Sequence, residues 1–269
     1  MENFNAKRFV QTLKWSAMDS KKEIITNLSI LFAFFLVPML LNIIFSLDAP
    51  ASVVTDSLKI TSNFIQIGLS FYITFAGSWI FNNMKTKQQR ITFKMLPASD
   101  LEKFLARLFY VTVFWTLSAM VVYVVADLVR MLICLMVYQD YLFSSTARIF
   151  DDISSSLANT PFQQDKINGL LFFFVSSLWQ HSFFTLGGTV FRRRPLAFAM
   201  LTALFIMMTC FFLGFYALSF YEIDVIKLHI AQMVNVLLAI GFVWALFHYW
   251  LSYRIFRRMQ VINNKWLNL

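Results

Sequence analysis

Glycine is scarce in this chain, with seven in 269 residues. A loop that cradles nucleotide phosphates needs several glycines and a Lys-Ser/Thr pair, and no such stretch occurs, which argues against nucleotide hydrolysis by the chain itself. Cysteine is scarcer still. Cys134 and Cys210 show neither metal-ligand nor disulfide spacing and read as small packing hydrophobes. No paired-histidine metal motif and no Gly-flanked nucleophilic serine is present, so the expectation is a chain without catalytic residues, metal or cofactor. Charge is thin as well: 14% of residues are charged, against about a quarter in an ordinary soluble domain. No polar stretch is long enough for a soluble domain of useful size.

What fills the chain is apolar: 59% hydrophobic and 18% aromatic residues. A membrane span needs about 20 mostly apolar residues, and six runs qualify. They lie near Thr26 to Leu47, Leu58 to Asn83, Leu105 to Arg130, Gly169 to Phe191, Leu196 to Tyr221 and Ile230 to Arg254. The expected fold is an all-α polytopic membrane protein, one transmembrane domain over residues 1–269. The first run follows a basic segment and lacks a small-residue cleavage site, so it reads as an uncleaved span.

The net charge of +9 is not spread as a nucleic-acid surface would be. Basic residues crowd before the first run, after the second, after the fourth ("FRRRP") and after the sixth, while the other connections lean acidic. By the positive-inside rule this alternation places both termini in the cytoplasm. It also supports six spans independently of hydropathy.

Residues 1–24 contain "FNAKRFVQTLKWSAM", with Phe9, Val10, Leu13 and Ala17 on one helical stripe and Lys7, Gln11 and Lys14 on another. This reads as an amphipathic helix on the inner membrane surface, a basic anchor or a partner-docking element, with Trp15 at headgroup level. Pro38 should bend the first span. In the second, Asn63, Gln66 and Ser70 share a face suited to interhelical hydrogen bonds or to a substrate path. Asp127 and Arg130, at i and i+3, can pair on one helix face near the outer end of the third, or, if they lie deeper, form an intramembrane ion pair with a functional role; the length of the run favours the outer end. Residues 131–168 form the largest outer segment, able to cap a bundle or receive a partner, with short helices expected around Tyr141 to Phe150 and Ile153 to Leu157. The fourth run carries Gln180 and His181, a packing or proton-shuttling pair, and Gly187 and Gly188 for close helix approach. Serines beside His181 also admit an intramembrane hydrolase, which would require that histidine. Pro195 opens the fifth run as a first-turn proline. His248, Tyr249 and Trp250 read as an interfacial belt.

The segment over residues 84–104 is the most structured of the connections. "KTKQQRITFKM" is basic with Ile91, Phe93 and Met95 interleaved, an exposed element able to show apolar side chains. Pro97 biases Leu96 towards extended backbone. "SDLE" then forms a capping box, Ser99 as N-cap and Glu102 at N3, that starts the helix of the third run. A tight turn would need far fewer residues, so the surplus points to a docking surface.

A basic inner loop with "LPAS" and then a Lys- or Arg-bearing helix resembles the permease subunits of type-2 ATP-binding-cassette (ABC) transporters. The form "MLPASDLEKFLAR" is similar to permease-like membrane proteins of Bacteroidetes-type bacteria. The resemblance implies a membrane subunit of an ATP-driven exporter in a bacterial cytoplasmic (inner) membrane. Its partners would be an ABC ATPase subunit, a second permease subunit and the bilayer, not nucleic acid. It further implies that Gln89, Arg90, Ile91, Phe93, Lys94, Met95 and Leu96 contact the ATPase, positioned by Pro97, Ser99 and Glu102. The family commonly carries a re-entrant element between its fifth and sixth spans; here that connection, "YEIDVIKLHI", is short. A rival expectation is a non-transporting assembly or sensor subunit that holds another partner through the same loop.

Overall fold

A computed structural model describes residues 4–45, 51–138, 143–158, 169–218 and 223–259. Its elements are α1 (Ala6–Asp19), α2 (Lys21–Phe45), α3 (Ala51–Ala76), α4 (Lys87–Lys94), α5 (Asp100–Phe109), α6 (Trp115–Tyr138), α7 (Ser145–Ala158), α8 (Gly169–Val190), α9 (Pro195–Leu218) and α10 (Ile223–Arg258). The described residues contain no β-strand. Among the described residues, five helices are long and apolar enough to cross a membrane: Lys21–Phe45, Val53–Met84, Asp100–Val137, Pro195–Leu213 and Val234–Arg258. The expected fourth span, α8, is not among these five.

The second half of α8, from His181 on, is largely buried, while Leu171 to Phe174 are exposed. It packs along α10, α9 and α3, and against the 3₁₀ turn Gly77–Trp79 that follows α3. Glycines permit the closest approaches. A Cβ on Gly188 would stand 2.5 Å from the Ser78 carbonyl oxygen, and one on Gly77 would stand 2.7 Å from that of His181. Both obstacles are backbone, so neither can swing aside. Gly188→Leu should therefore force α8 off the turn and lower the melting temperature of the detergent-solubilised protein by several degrees or more. An unchanged melt would contradict this packing.

Local residues set several helix starts and paths. Asn5 caps α1, accepting from the amides of Lys7 and Arg8. Pro195 is the first residue of α9, after a turn in which Arg194 takes a φ of 50°. α2 continues through Pro38. The third run is a single helical path from Asp100 to Tyr138, with a π-turn over Tyr110–Phe114 joining α5 to α6.

Other readings change. The stripe of α3 that meets α2 is built by Ser57 and Thr61, bonded to Asn42 at 3.0 Å each. Asn63 and Ser70 are exposed, Gln66 is half-buried, and the Ser70 hydroxyl donates to the Gln66 carbonyl of its own helix. A helix stripe has two neighbouring faces, and the short hydroxyls, not the longer amides, occupy the packed one. In the outer segment one continuous helix, α7, spans both of the short helices expected there, apart from residues 141–144 ahead of it. Residues 139–142 and 159–168 lie outside the described residues.

Asp127 and Arg130 fix α7. The Asp127 Oδ1 accepts from Arg130 Nη2 at 2.8 Å and Nε at 3.0 Å. Its Oδ2 accepts from the Thr146 amide at 2.8 Å, the Thr146 hydroxyl at 2.7 Å and the Ser144 hydroxyl at 3.2 Å. Arg130 also donates to the Phe143 carbonyl. Both side chains are almost wholly buried, so the pair is a connected network that holds the N-terminus of α7 against α6.

Candidate functional site

The segment before α5 is not an irregular loop. Thr86 accepts from the Gln89 amide and the Gln89 side chain accepts from the Thr86 amide, a second capping box that starts α4. The sequence signal "TKQQ" is present but is masked by the basic run around it. α4 ends at Met95, and Leu96, Pro97 and Ala98 turn the chain into the Ser99 capping box of α5.

α4 has an inner and an outer face. Inward lie Arg90 and Phe93, both buried, and this corrects the expectation that they are displayed for contact. Phe93 packs on Trp15 of α1 at 5.8 Å and on Phe256 near the end of α10 at 6.2 Å. Trp15 is accordingly half-buried against α4. Lys94 Nζ donates to the Phe256 carbonyl at 3.0 Å, pairs with Asp100 at 3.3 Å, and sits 3.9 Å above the Phe256 ring. Burial, and after it the charge of Arg192, lowers the Arg90 pKa from the ordinary arginine value. Outward lie Gln88, Gln89, Ile91, Thr92 and Met95, the last 78% exposed; Leu96 is half-buried and Pro97 exposed. A hollow of about 340 Å³ on this side is lined by Trp15, Asp19, Thr86, Gln88, Gln89 and Thr92.

Glu102 does more than cap. Its Oε2 accepts from the Ser99 amide at 2.8 Å, and its Oε1 from the Asn5 amide at 2.7 Å and from Arg8 Nη2 at 3.1 Å. One carboxylate therefore starts α5 and pins the start of α1. Lys103, also buried, donates to the Lys94 carbonyl at 2.8 Å and closes the elbow from the other side. Phe81, Phe93, Phe104 and Phe256 fill the space between, Phe81 and Phe256 stacked at 4.9 Å. Sequence reasoning read the Ser99–Glu102 box but missed the links of Glu102 to Asn5 and Arg8 and of Phe81, Phe93 and Phe104 to Phe256, which join residues far apart in the chain.

Burial acts to raise the Glu102 pKa, but the Ser99 and Asn5 amides and the Arg8 guanidinium outweigh it and leave the carboxyl below the usual glutamate range. The folded pKa is thus depressed. Its stabilising contribution is present above the unfolded value and is lost as pH falls through the folded value. The expected result is that wild type melts higher than Glu102→Gln at neutral pH and that the gap closes on acidification through the carboxylate range. A gap independent of pH would contradict the assignment.

The interior polar residues form a second constellation, on α8 and α10. His181 Nδ1 lies 2.9 Å from the Tyr249 hydroxyl, and His248 Nδ1 lies 3.2 Å from the Ser182 hydroxyl. Thr185, Thr189 and Ser252 donate to carbonyls one turn earlier in their own helices. His248 and Tyr249 therefore face α8, whereas Trp250 is exposed, with Arg254 over its ring at 5.2 Å. Gln180 is exposed, so the adjacent pair divides between two faces. The contacts are those of helix-to-helix packing. The described residues hold no group of three or more His, Cys, Asp or Glu arranged for a metal.

No protein-family model, curated protein or solved structure matches this chain.

Proposed function

We propose that the chain is the membrane permease subunit of an ATP-driven exporter, coupled to a separate ABC ATPase through α4. The observation that carries this reading is the two-faced form of α4. A short helix, capped at its start and clamped on its inner face to α1, α5 and α10, presents Gln88, Gln89, Ile91, Thr92 and Met95 outward. A device that transmits a push needs such a rigid mount, and a mere turn between helices does not. The clamp also reaches both ends of the described chain, since Phe256 and Arg8 belong to it. A displacement of α4 would therefore be passed to several helices at once.

In this reading α8 crosses the membrane as a sixth span, and both termini are cytoplasmic, as the alternating basic excess supports. ATP is hydrolysed by the partner, and two permease subunits make up the membrane part. The test is co-purification from the native host. An ABC ATPase is expected to accompany the tagged chain and to be lost on Met95→Glu combined with Ile91→Glu, with the chain still folded. An intact chain that recruits no ATPase in wild-type form would instead favour an assembly or sensor subunit.

A further inference from the structure

A cavity of about 570 Å³ lies between α2, α3 and the α5–α6 path, within the range of about 300–1,000 Å³ typical of small-molecule sites. Its two ends differ in chemistry. At one end stand Arg107, Lys85, Glu23 and Asn82; Phe34, eleven residues along α2 from Glu23, and Phe71 line the other, with Trp79 and Tyr72, their rings 5.6 Å apart, along the wall between. Phe34 and Phe71 are also about half exposed, so the apolar end opens on the outer surface of the helices, where lipid tails would lie.

Arg107 is the unusual member. Its side chain is 1% exposed, its Nε donates to the Ile80 carbonyl at 2.8 Å, and its guanidinium lies 4.8 Å from the centre of the Tyr110 ring. Its Nη1 is buried with no hydrogen-bond partner, and no carboxylate stands within 4.0 Å of the guanidinium among the described residues. The nearby Glu23 carboxylate accepts instead from the Asn82 amide. Buried guanidinium groups are ordinarily paired, and the planar fork suits carboxylate and phosphate oxygens above other partners. Lys85, exposed at the rim, adds a second positive charge.

We propose that this cavity binds an amphiphile with one anionic head, phosphate or carboxylate, and an apolar tail. The head lies on Arg107 and Lys85, and the tail lies along Phe34, Phe71 and Trp79 towards the bilayer. A lateral opening suits a ligand that arrives through the membrane, and the charged end draws it in head first. The site stands independently of the exporter reading, because it requires neither an ATPase nor transport.

The test uses the full chain in detergent micelles and the quenching of its tryptophan fluorescence, since Trp79 and Trp115 both line the cavity. The probes are lysophosphatidate and a fatty acid, each brominated in the tail, with brominated lysophosphatidylcholine for comparison. Saturable quenching by the two anionic probes is expected, about tenfold or more weaker in Arg107→Gln. Because Arg107 is buried, two further variants guard against misfolding. Lys85→Ala alters an exposed side chain and should weaken binding several-fold. Gly68→Leu places its Cβ 2.9 Å from the Phe34 ring and should obstruct the tail while leaving the head group's partners in place. Equal quenching by lysophosphatidylcholine, or quenching that does not saturate and is unchanged in all three variants, would overturn the proposal. Displacement of the probes by inorganic phosphate at concentrations similar to theirs would assign the site to a free anion and overturn the amphiphile.

Discussion

Asp127→Ala is expected to lower stability by about 3–5 kcal/mol, among the largest effects available to a single substitution in this chain. The carboxylate is buried, bonded twice by Arg130, and further bonded by Thr146 and Ser144. Its removal leaves a buried guanidinium without a counter-charge and the first turn of α7 without its anchor. The loss should be read in two ways: a lower melting temperature, and faster amide exchange over residues 143–158 than over α8. Replacing both members by apolar residues of similar volume, Asp127→Leu with Arg130→Met, should recover much of the melting temperature, since no charge is then left unpaired. It should not recover the slow exchange of α7, which depends on the bonds to Thr146. If the single and double variants melt alike and α7 is unaffected, the network does not hold α7.

Phe93→Ala and Met95→Ala should separate stability from docking. Phe93 is wholly buried among Trp15, Phe256 and their neighbours, and its truncation should cost about 3–5 kcal/mol. Met95, two residues on, is among the most exposed large apolar side chains described, and its truncation should change stability by no more than about 0.5 kcal/mol. Under the exporter reading the order reverses for partner binding: Met95→Ala weakens the complex although the subunit is unharmed. Melting curves and a pull-down on the same preparations check both halves. Equal stability losses for the two would contradict the two-faced description of α4.

The parts of this architecture that were legible in the sequence are those set by near neighbours. The Ser99–Glu102 capping box, the first-turn Pro195 and the long apolar runs need only a few residues of context, and among the described residues five of the six runs give helices long and apolar enough to span. The burial of Phe93 could not be read, because it depends on Phe256, well over a hundred residues further along the chain. The same holds for His181, whose partner Tyr249 lies 68 residues on. In α3, hydrophobic and polar periodicity identified a polar stripe but not which of two adjacent polar faces packs, since Ser57 and Thr61 carry less sequence signal than Asn63 and Gln66. In α8 the histidine, serine and glycines expected to serve helix packing do lie in its buried half, whereas the exposure of Leu171 to Phe174 carries no sequence signal of its own.

Coupling through the outer face of α4 is tested most directly by photo-crosslinking in native membranes. A photoreactive residue is placed in turn at Ile91, Met95 and Phe93. The account predicts covalent adducts to an ABC ATPase from Ile91 and Met95, and from Phe93 only internal adducts that link α4 to α1 or α10. Adducts to the ATPase from Phe93 but not from Met95, or no ATPase adduct from any of the three positions, would contradict it.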